Sequence, residues 1–567
     1  MGVRHRTRSS DWRRFDERPS LLHVAYPSPA LGAWVSGCFP TPRVRRASHQ
    51  IVVHRFRSYP LPAFFQNAGG LGRLCPTRIM AHILLVDLNN FAHYPSIAVG
   101  LLTASLRQVG HTVRVFSPLA HGVKSLPREM VETRIDALEQ RISFSTHKWL
   151  GPPRKVLGRA RGRWRERKEH GAMPAFREMI AQQGDLLLIS AYTDSLAVAR
   201  GMCATAAMAG IPVVIGGPIF SQAEVSREWA RLPGVRAVVG AEFERQIVAF
   251  CRDVLAGADL ASYPGSFTPD GKEGATPAAE RNLDDLLIPD YTDFPWDRYE
   301  SRIIPIQMGR GCGWGHCRFC GDIVTANGRG YRTRRVGSVL AEMKSQSERH
   351  ESRDFVFLDL KLNSHPDTWR KLVQGIAEEL PGSRWIGSVH VQGDIDNGLE
   401  RQDLEAARAA GMLRLTFGME SGSQRVLDSM GKGTCVERNK RFVCDASAAG
   451  LSVRTTIIQG YPGEAESDLA LTAELLEELN GELDRVRINR LNVLEGTMLA
   501  HDLDGQSGPE TSIHSIGWEH EWARSHYVHV RERDRGYRKQ MRRVLRASHA
   551  INRRPIQENA RVFHGLM

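Results

Sequence analysis

The sequence predicts an α/β protein with two successive sheets, and three observations carry that prediction. Apolar strand-like runs alternate with helical periods from Met80 to about Ala256, a Pro-, Gly- and Asp-rich stretch then interrupts them, and the alternation resumes at Ile303 and lasts to Leu491. The first series reads as strands at 82–86, 112–116, 185–189, 211–215 and 236–239, with helices at 95–110, 195–209 and from Glu242. Five strands with helical crossovers predict a doubly wound sheet of flavodoxin-like order. The second series reads as strands at 303–308, 354–358, 385–391, 413–417, 453–459 and 485–491.

Length and charge bound the rest. A chain of 567 residues is too long for one ordinary domain. Its net charge of +13 is unevenly placed, since thirteen arginines against three acids stand in residues 1–79. That removes most of the composition argument for nucleic-acid binding. Residues 1–79 show no sustained period and read as disordered, or as an upstream extension that is not natively translated. No run reads as a membrane span: Pro212 and Gly216-Gly217 break 201–223, and Pro27 and Pro29 break 19–42. Nine cysteines without regular pairing argue for a reducing compartment, and the cytoplasm is the expected location. Residues 122–183 form a long polar insert, whose run Arg154–Lys168 is strongly basic and reads as a docking surface or a solvated face.

The chemistry-bearing stretch is Met308–Asp322, with Cys312, Cys317 and Cys320 spaced C-x4-C-x2-C among five glycines. Glycines let a short loop fold back so that three thiolates converge on one point. Three thiolates leave one position of a four-iron cluster open, whereas structural zinc takes four closed ligands; a zinc knuckle would need His316, Cys435 or Cys444.

On these residues, with Phe319 just before the last cysteine, the chain resembles the radical S-adenosylmethionine (SAM) superfamily. The usual spacing there is C-x3-C-x2-C, and this loop carries one residue more. Over roughly 80–500 the order of segments resembles the subclass that joins a cobalamin-binding domain to a radical SAM barrel. The resemblance implies a cobalamin-binding domain at 80–256, a linker at 257–300, a partial (β/α)6 barrel at 301–502 and a helical C-terminal region at 503–567. It implies three cofactors: a 4Fe-4S cluster on the three cysteines, SAM, and cobalamin.

In a doubly wound sheet the ligand lies beyond the carboxyl ends of the strands. The expected cobalamin contacts are therefore Asn89, Tyr192, Thr193, Gly216, Gly217, Pro218 and Glu242. The D-x-H-x-x-G element that supplies an axial histidine in other corrinoid proteins is absent, so cobalamin is expected without it. Phe417-Gly-Met-Glu-Ser-Gly-Ser423 matches a fourth-strand segment of radical SAM proteins, which marks Glu420 and Ser421, with Phe319 and Gln459, as SAM-side residues. Other strand ends are polar, at Asp359, Lys361, Asn363, His390 and Gln392 among others, while Gly460–Glu464 reads as a structural turn. The aromatic-, His- and Arg-rich stretch Trp518–Arg546 reads as one or two helices.

The resemblance implies methylation of an unactivated carbon in a small-molecule or peptide substrate, with flavodoxin or ferredoxin as electron donor and neither membrane nor nucleic acid as partner. Radical cyclisation or rearrangement with the same cofactors is the second expectation, and a non-catalytic corrinoid or iron–sulfur sensor a third. Methylthio transfer is disfavoured because the preceding sheet offers only Cys203 and Cys251.

Overall fold

Runs of leucine and β-branched residues give the first sheet two apolar faces. The computed structural model describes residues 80–566 except 89–92, 126–129, 148, 150–155, 157–169, 183, 326–327, 329, 394–396 and 506–512, and all of them belong to one compact unit. Its first sheet comprises β1 (His82–Asp87), β2 (Thr112–Phe116), β3 (Leu186–Ser190), β4 (Val213–Gly216), β5 (Val235–Val239) and β6 (Ser266–Phe267), ordered β2-β1-β3-β4-β5-β6. The first five strands are parallel, in the expected flavodoxin-like order. Leu84, Val86, Leu187 and Ile189 pack on one face with Cys203, and Ile83, Leu85, Leu188 and Val214 on the other with Cys251. That alternation is the period of two expected of a strand covered on both sides.

The stretch read as a linker is more ordered than its composition implied. β6 pairs antiparallel with β5, so 266–267 complete the first sheet. Further on, Asp290 and Asp293 take the Arg107 guanidinium at 2.7 and 2.9 Å. Tyr291 lies so close to the helix Ile97–Gln108 that a Cβ on Gly100 would stand 2.5 Å from its ring. The helix expected from Glu242 begins instead at Ile247 and runs to Leu255. Residues 1–79 and nearly all of the basic run at 154–168 lie outside the described residues.

The second series gives β7 (Ile303–Ile306), a small hairpin of β8 (Gly309–Arg310) and β9 (Arg332–Thr333), then β10 (Asp354–Phe357), β11 (Arg384–Val389), β12 (Met412–Glu420), β13 (Ser452–Gln459) and β14 (Arg485–Arg490). The six long strands are parallel and ordered β14-β13-β12-β11-β10-β7, so each neighbours its predecessor as in an open barrel. Outward residues such as Ile304, Phe355, Trp385, Leu415 and Val453 form the main core with the surrounding helices. Each large side chain buried there contributes roughly 1.5–3 kcal/mol. Inward residues Ile303, Val356, Ile386 and Leu413 pack instead on Ile556, Phe563 and Leu566 near the carboxyl end of the chain. Arg414 and Arg454 fix this tail by donating to the carbonyls of Phe563 and Leu566, at 3.3 and 2.7 Å. The tail therefore plugs the barrel near the amino ends of its strands.

The helical expectation for 518–546 holds for the second half of that stretch. The helix Arg535–Asn552 buries Tyr537, Met541, Val544, Leu545, Ser548 and Ile551, a helical stripe. Before it stands a three-stranded antiparallel sheet, β15 (Val493–Leu494), β16 (Ile513–Glu519) and β17 (Arg524–His529), ordered β15-β17-β16. Dense His, Arg and Trp residues hide the period of two in this hairpin. The polar insert is anchored too: its helix Arg134–Phe144 opens with a capping box of Thr133 and Asp136, and Glu132 accepts from Asn552 at 2.7 Å. No described helix is long and apolar enough to cross a membrane.

Candidate functional site

The cysteine loop is the connection inside the β8–β9 hairpin, and its base is pinned before the first cysteine. Asp359, in the turn after β10, accepts the amides of Met308 and Gly309 at 3.0 and 2.6 Å. Burial pushes its carboxyl up to about 7 against those two bonds. Farther along, the Trp314 indole donates to Gly431 O at 2.8 Å and Arg318 N to Met430 O at 3.0 Å. Trp314 belongs to the four-residue spacer of C-x4-C. Its ring stacks over His390 at 6.0 Å and fills the space where Gly433 has no side chain, a Cβ there falling 2.1 Å from the ring. Gly433 has φ +63°, so glycine also suits its backbone. The lengthened loop is thus seated by its tryptophan.

Around the thiols stand buried ionisable groups from three strand ends. Burial raises the Cys317 thiol and pushes that of Cys320 up to about 12, so both are poor thiolates without a metal to displace the proton. Lys432 Nζ lies 3.5 Å from Glu420 Oε1, and Thr456 Oγ1 donates to both Glu420 oxygens at 3.1 Å. Burial works against the Lys432 charge, but Glu420 and the sulfurs of Cys317 and Cys320 hold it above the usual lysine range. Glu420 has φ +63°, an uncommon backbone for a residue with a side chain, at a register shift between β12 and β13. Burial first, then Lys432 and Lys361, drive His390 down to about 2, which keeps it neutral.

Beyond the carboxyl ends of β3–β5, a cavity of about 350 Å³ runs toward this loop. Tyr192, Gly216, Gly217, Pro218 and Glu242, which the sequence offered as cobalamin contacts, line it. On the barrel side it is closed by Gln307, Gly309, Arg310 and Gly311, the strand that leads into Cys312. In the loops after β4 and β5, Gly217 and Gly240 meet backbone: a Cβ would stand 2.2 Å from Ala191 O in one and 1.9 Å from Phe220 O in the other. Glu242 does more than line the cavity. It pairs with Arg332 at 2.7 Å and Arg310 at 3.4 Å, and Arg310 reaches Glu244 at 2.7 Å, so a buried ion network ties the first sheet to the cysteine hairpin. Sequence reasoning missed both arginines. Their position just outside the cysteines was the available signal.

The other expected site residues separate. Thr193 opens a short 3-10 turn next to Tyr192 and is not among the cavity residues, while Asn89 lies outside the described residues. Phe319 packs edge-on to Tyr461 within an apolar cluster. Ser421 Oγ accepts from Ser423 N at 3.1 Å, inside its own turn. Gln459, three residues beyond Thr456, faces the opposite side of β13 and donates to Tyr537 Oη at 2.8 Å and Glu532 at 3.0 Å. Tyr537 and Gly460 N in turn donate to the buried Glu464, whose carboxyl burial pushes up to about 7. That agrees with a structural turn at 460–464.

Cys203 and Cys251 sit in different cores on opposite faces of the first sheet, both fully buried, and cannot serve one site. Cys444 is exposed on the helix Val436–Ala448, where its electrostatic neighbours are Glu482, Asp445 and Lys440 rather than the loop cysteines. Among the described residues, no three His, Cys, Asp or Glu side chains are already gathered as a metal site.

Residues 306–476 match the family model of the radical SAM superfamily, so the chain carries a radical SAM domain. Over most of its length the chain has the fold of two solved cobalamin-dependent radical SAM enzymes. The structure resembles the cobalamin-dependent SAM radical enzyme OxsB with aqua-cobalamin and SAM bound: TM-score 0.58 at 14% identity, covering 79% of this chain and 64% of that one. It also resembles the radical SAM methyltransferase TsrM of Kitasatospora setae with cobalamin and a 4Fe-4S cluster bound, with TM-score 0.56 at 17% identity, covering 78% and 81%. In sequence, the chain is 26% identical over 276 residues to an uncharacterized methyltransferase of Pyrococcus horikoshii, covering 47% of this chain and 58% of that protein. It is 25% identical over 287 residues to the anaerobic magnesium-protoporphyrin IX monomethyl ester cyclase of Rubrivivax gelatinosus, covering 48% and 50%. The chain spans about half the length of these curated relatives.

Proposed function

We propose that this chain is a cobalamin-dependent radical SAM enzyme that methylates an unactivated carbon of a peptide or secondary metabolite. The observation that carries this reading is the cavity, whose walls are the carboxyl ends of the first sheet and the strand entering the cysteine loop. The residues present fit both groups. On the corrin side, Tyr192, Gly216, Gly217, Pro218 and Glu242 line the cavity, and the charges nearby are already paired with one another. On the cluster side, three thiols share one loop, and two buried lysines act electrostatically on them, which suits a negatively charged cluster with three thiolate ligands.

When bound, the 4Fe-4S cluster supplies the electron that cleaves SAM and cobalamin supplies a methyl carrier; the protein's part is binding, orientation and electrostatics. Cys312, Cys317 and Cys320 would hold the cluster. Glu420, kept in place by Lys432 and Thr456, would accept hydrogen bonds from the ribose diol or the ammonium of SAM. Tyr192, Gly216, Gly217, Pro218 and Glu242 would seat the corrin, with Asn89 and Thr193 in the adjoining loops. Phe319 and Ser421 act through the shape of their loops, and Gln459 through its bonds to the C-terminal helix. The plug of Ile556, Phe563 and Leu566 keeps water from the lumen at the far end. A flavodoxin- or ferredoxin-like protein would deliver the electron. A cytoplasmic setting suits such chemistry.

A radical cyclisation with the same cofactors is the second reading, favoured by the likeness to a cyclase. The test of the shared part is anaerobic reconstitution. The full chain should take up one corrin and about four irons, and under reduction should cleave SAM to deoxyadenosine. Failure to retain either group contradicts the proposal.

A further inference from the structure

Lys361 lies in the turn after β10, only 2% exposed, and its ammonium donates to Gln392 Oε1 at 2.6 Å. Among the described residues no carboxylate pairs with it. Asp359 commits its two oxygens to the amides of Met308 and Gly309, and Glu420 is taken by Lys432. A buried cation whose partner is one neutral amide costs several kcal/mol unless an anion completes its surroundings. The turn that carries it rests directly on the cysteine loop. Ser364 Oγ donates to Lys361 O at 2.7 Å, and a Cβ on Gly313, the residue after Cys312, would stand 2.9 Å from Ser364 Cβ. Burial works against the Lys361 charge, and the groups that favour the charged form are the sulfurs of Cys312 and Cys317, thiols until a metal displaces their protons. Lys432 faces Cys317 and Cys320, but its charge is already balanced by Glu420.

We propose that Lys361 is the charge-compensating neighbour of an iron–sulfur cluster on Cys312, Cys317 and Cys320, and that its ammonium raises the reduction potential of that cluster. The inference rests on the cluster reading above. Reduction adds one electron from the external donor and makes the cluster more negative by one charge, with no bond broken. A fixed cation in a site of low dielectric stabilises that more negative state. Gln392 is the positioning residue that aims the ammonium at the loop. The carboxylate of SAM is a second anion that this ammonium would suit, so the test separates the two.

The experiment compares the anaerobically reconstituted full chain with Lys361→Met and Lys361→Arg by iron and sulfide content, by redox titration followed through visible absorbance and electron paramagnetic resonance without SAM, and by SAM affinity. If the unaltered chain holds no cluster, the cluster reading itself fails. With iron retained, Lys361→Met should lower the reduced fraction about fivefold at the wild-type midpoint, and Lys361→Arg should restore it. An unchanged titration in Lys361→Met overturns the inference. So does an unchanged titration with weakened SAM binding, which would assign Lys361 to the SAM carboxylate. Should Lys361→Met lose iron, Gln392→Leu keeps the lysine but frees it: a smaller drop in the same titration supports the inference, and no drop overturns it.

Discussion

On the first-sheet side of the cavity, Gly217 presses its backbone against the carbonyl of Ala191, Gly240 in the loop after β5 does the same against Phe220, and Glu242 and Glu244 are balanced by Arg310 and Arg332. On the barrel side, Lys361, Glu420, Lys432 and Asp359 are ionisable groups buried around three cysteines. The first wall is made by shape, which suits a broad ligand held by many weak contacts. The second is made by charge, which suits small anionic groups and electron transfer. Substitutions on the two sides should therefore fail in different ways, and three outcomes test that division, with a fourth expected at a buried carboxyl that belongs to neither wall.

The largest effect is expected from Cys312, Cys317 or Cys320 replaced by Ala. Each should remove most of the iron and the broad visible absorbance while corrin binding persists, measured by metal analysis and by the corrin spectrum. Equal dependence on Cys435 or Cys444 would break the open-iron arrangement. Next, Gly217→Ala must displace the loop from Ala191 O, and cobalamin affinity should fall at least about tenfold with iron content kept. Loss of both cofactors together would erase the distinction between the walls. Third, Glu420→Gln removes a charged acceptor worth roughly 1.5–3 kcal/mol. Equilibrium titration should show SAM binding about tenfold weaker or more, with corrin affinity unchanged.

The smallest effect concerns pH. Glu464 has a folded-state carboxyl raised to about 7 by burial, so the native state keeps a proton that the unfolded chain releases near the ordinary glutamate value of 4.5. Its contribution to stability is complete below that value and is lost as pH rises through about 7. The melting temperature should therefore decline between about pH 5 and 8, and Glu464→Gln should flatten the decline. Asp359 acts in the same direction. An equal slope in both proteins would mean that Glu464 is ionised in the fold.

The same division explains what the sequence revealed. Both sheets were legible because parallel strands buried on two faces are continuous runs of aliphatic residues, and the order of the first sheet followed from its crossovers. Gly216-Gly217-Pro218 and the cysteine loop stood out because glycine, proline and cysteine carry geometry or chemistry in their identity alone. Side-chain charge did not announce its partners. Arg310 binds Glu244 across 66 positions of chain and Arg332 binds Glu242 across 90, and nothing local in the sequence pairs them. Gln459 lay at a strand end as expected, but the period of two turned it toward Tyr537. The hairpin at 513–529 was hidden by a mixture of His, Arg and Trp with no clean alternation, and its packing partners are distant: Trp229 Nε1, for example, donates to Glu521 O at 2.9 Å.

The central claim is that one cavity brings a methyl carrier to a radical-generating loop, so two SAM molecules should be used for each product. The direct measurement is anaerobic turnover with methyl-labelled SAM and candidate peptide or metabolite substrates, followed by mass spectrometry. The account predicts label in the product, with deoxyadenosine and S-adenosylhomocysteine each near one to one with it. Deoxyadenosine with an unlabelled, rearranged product, or S-adenosylhomocysteine without deoxyadenosine, would contradict it.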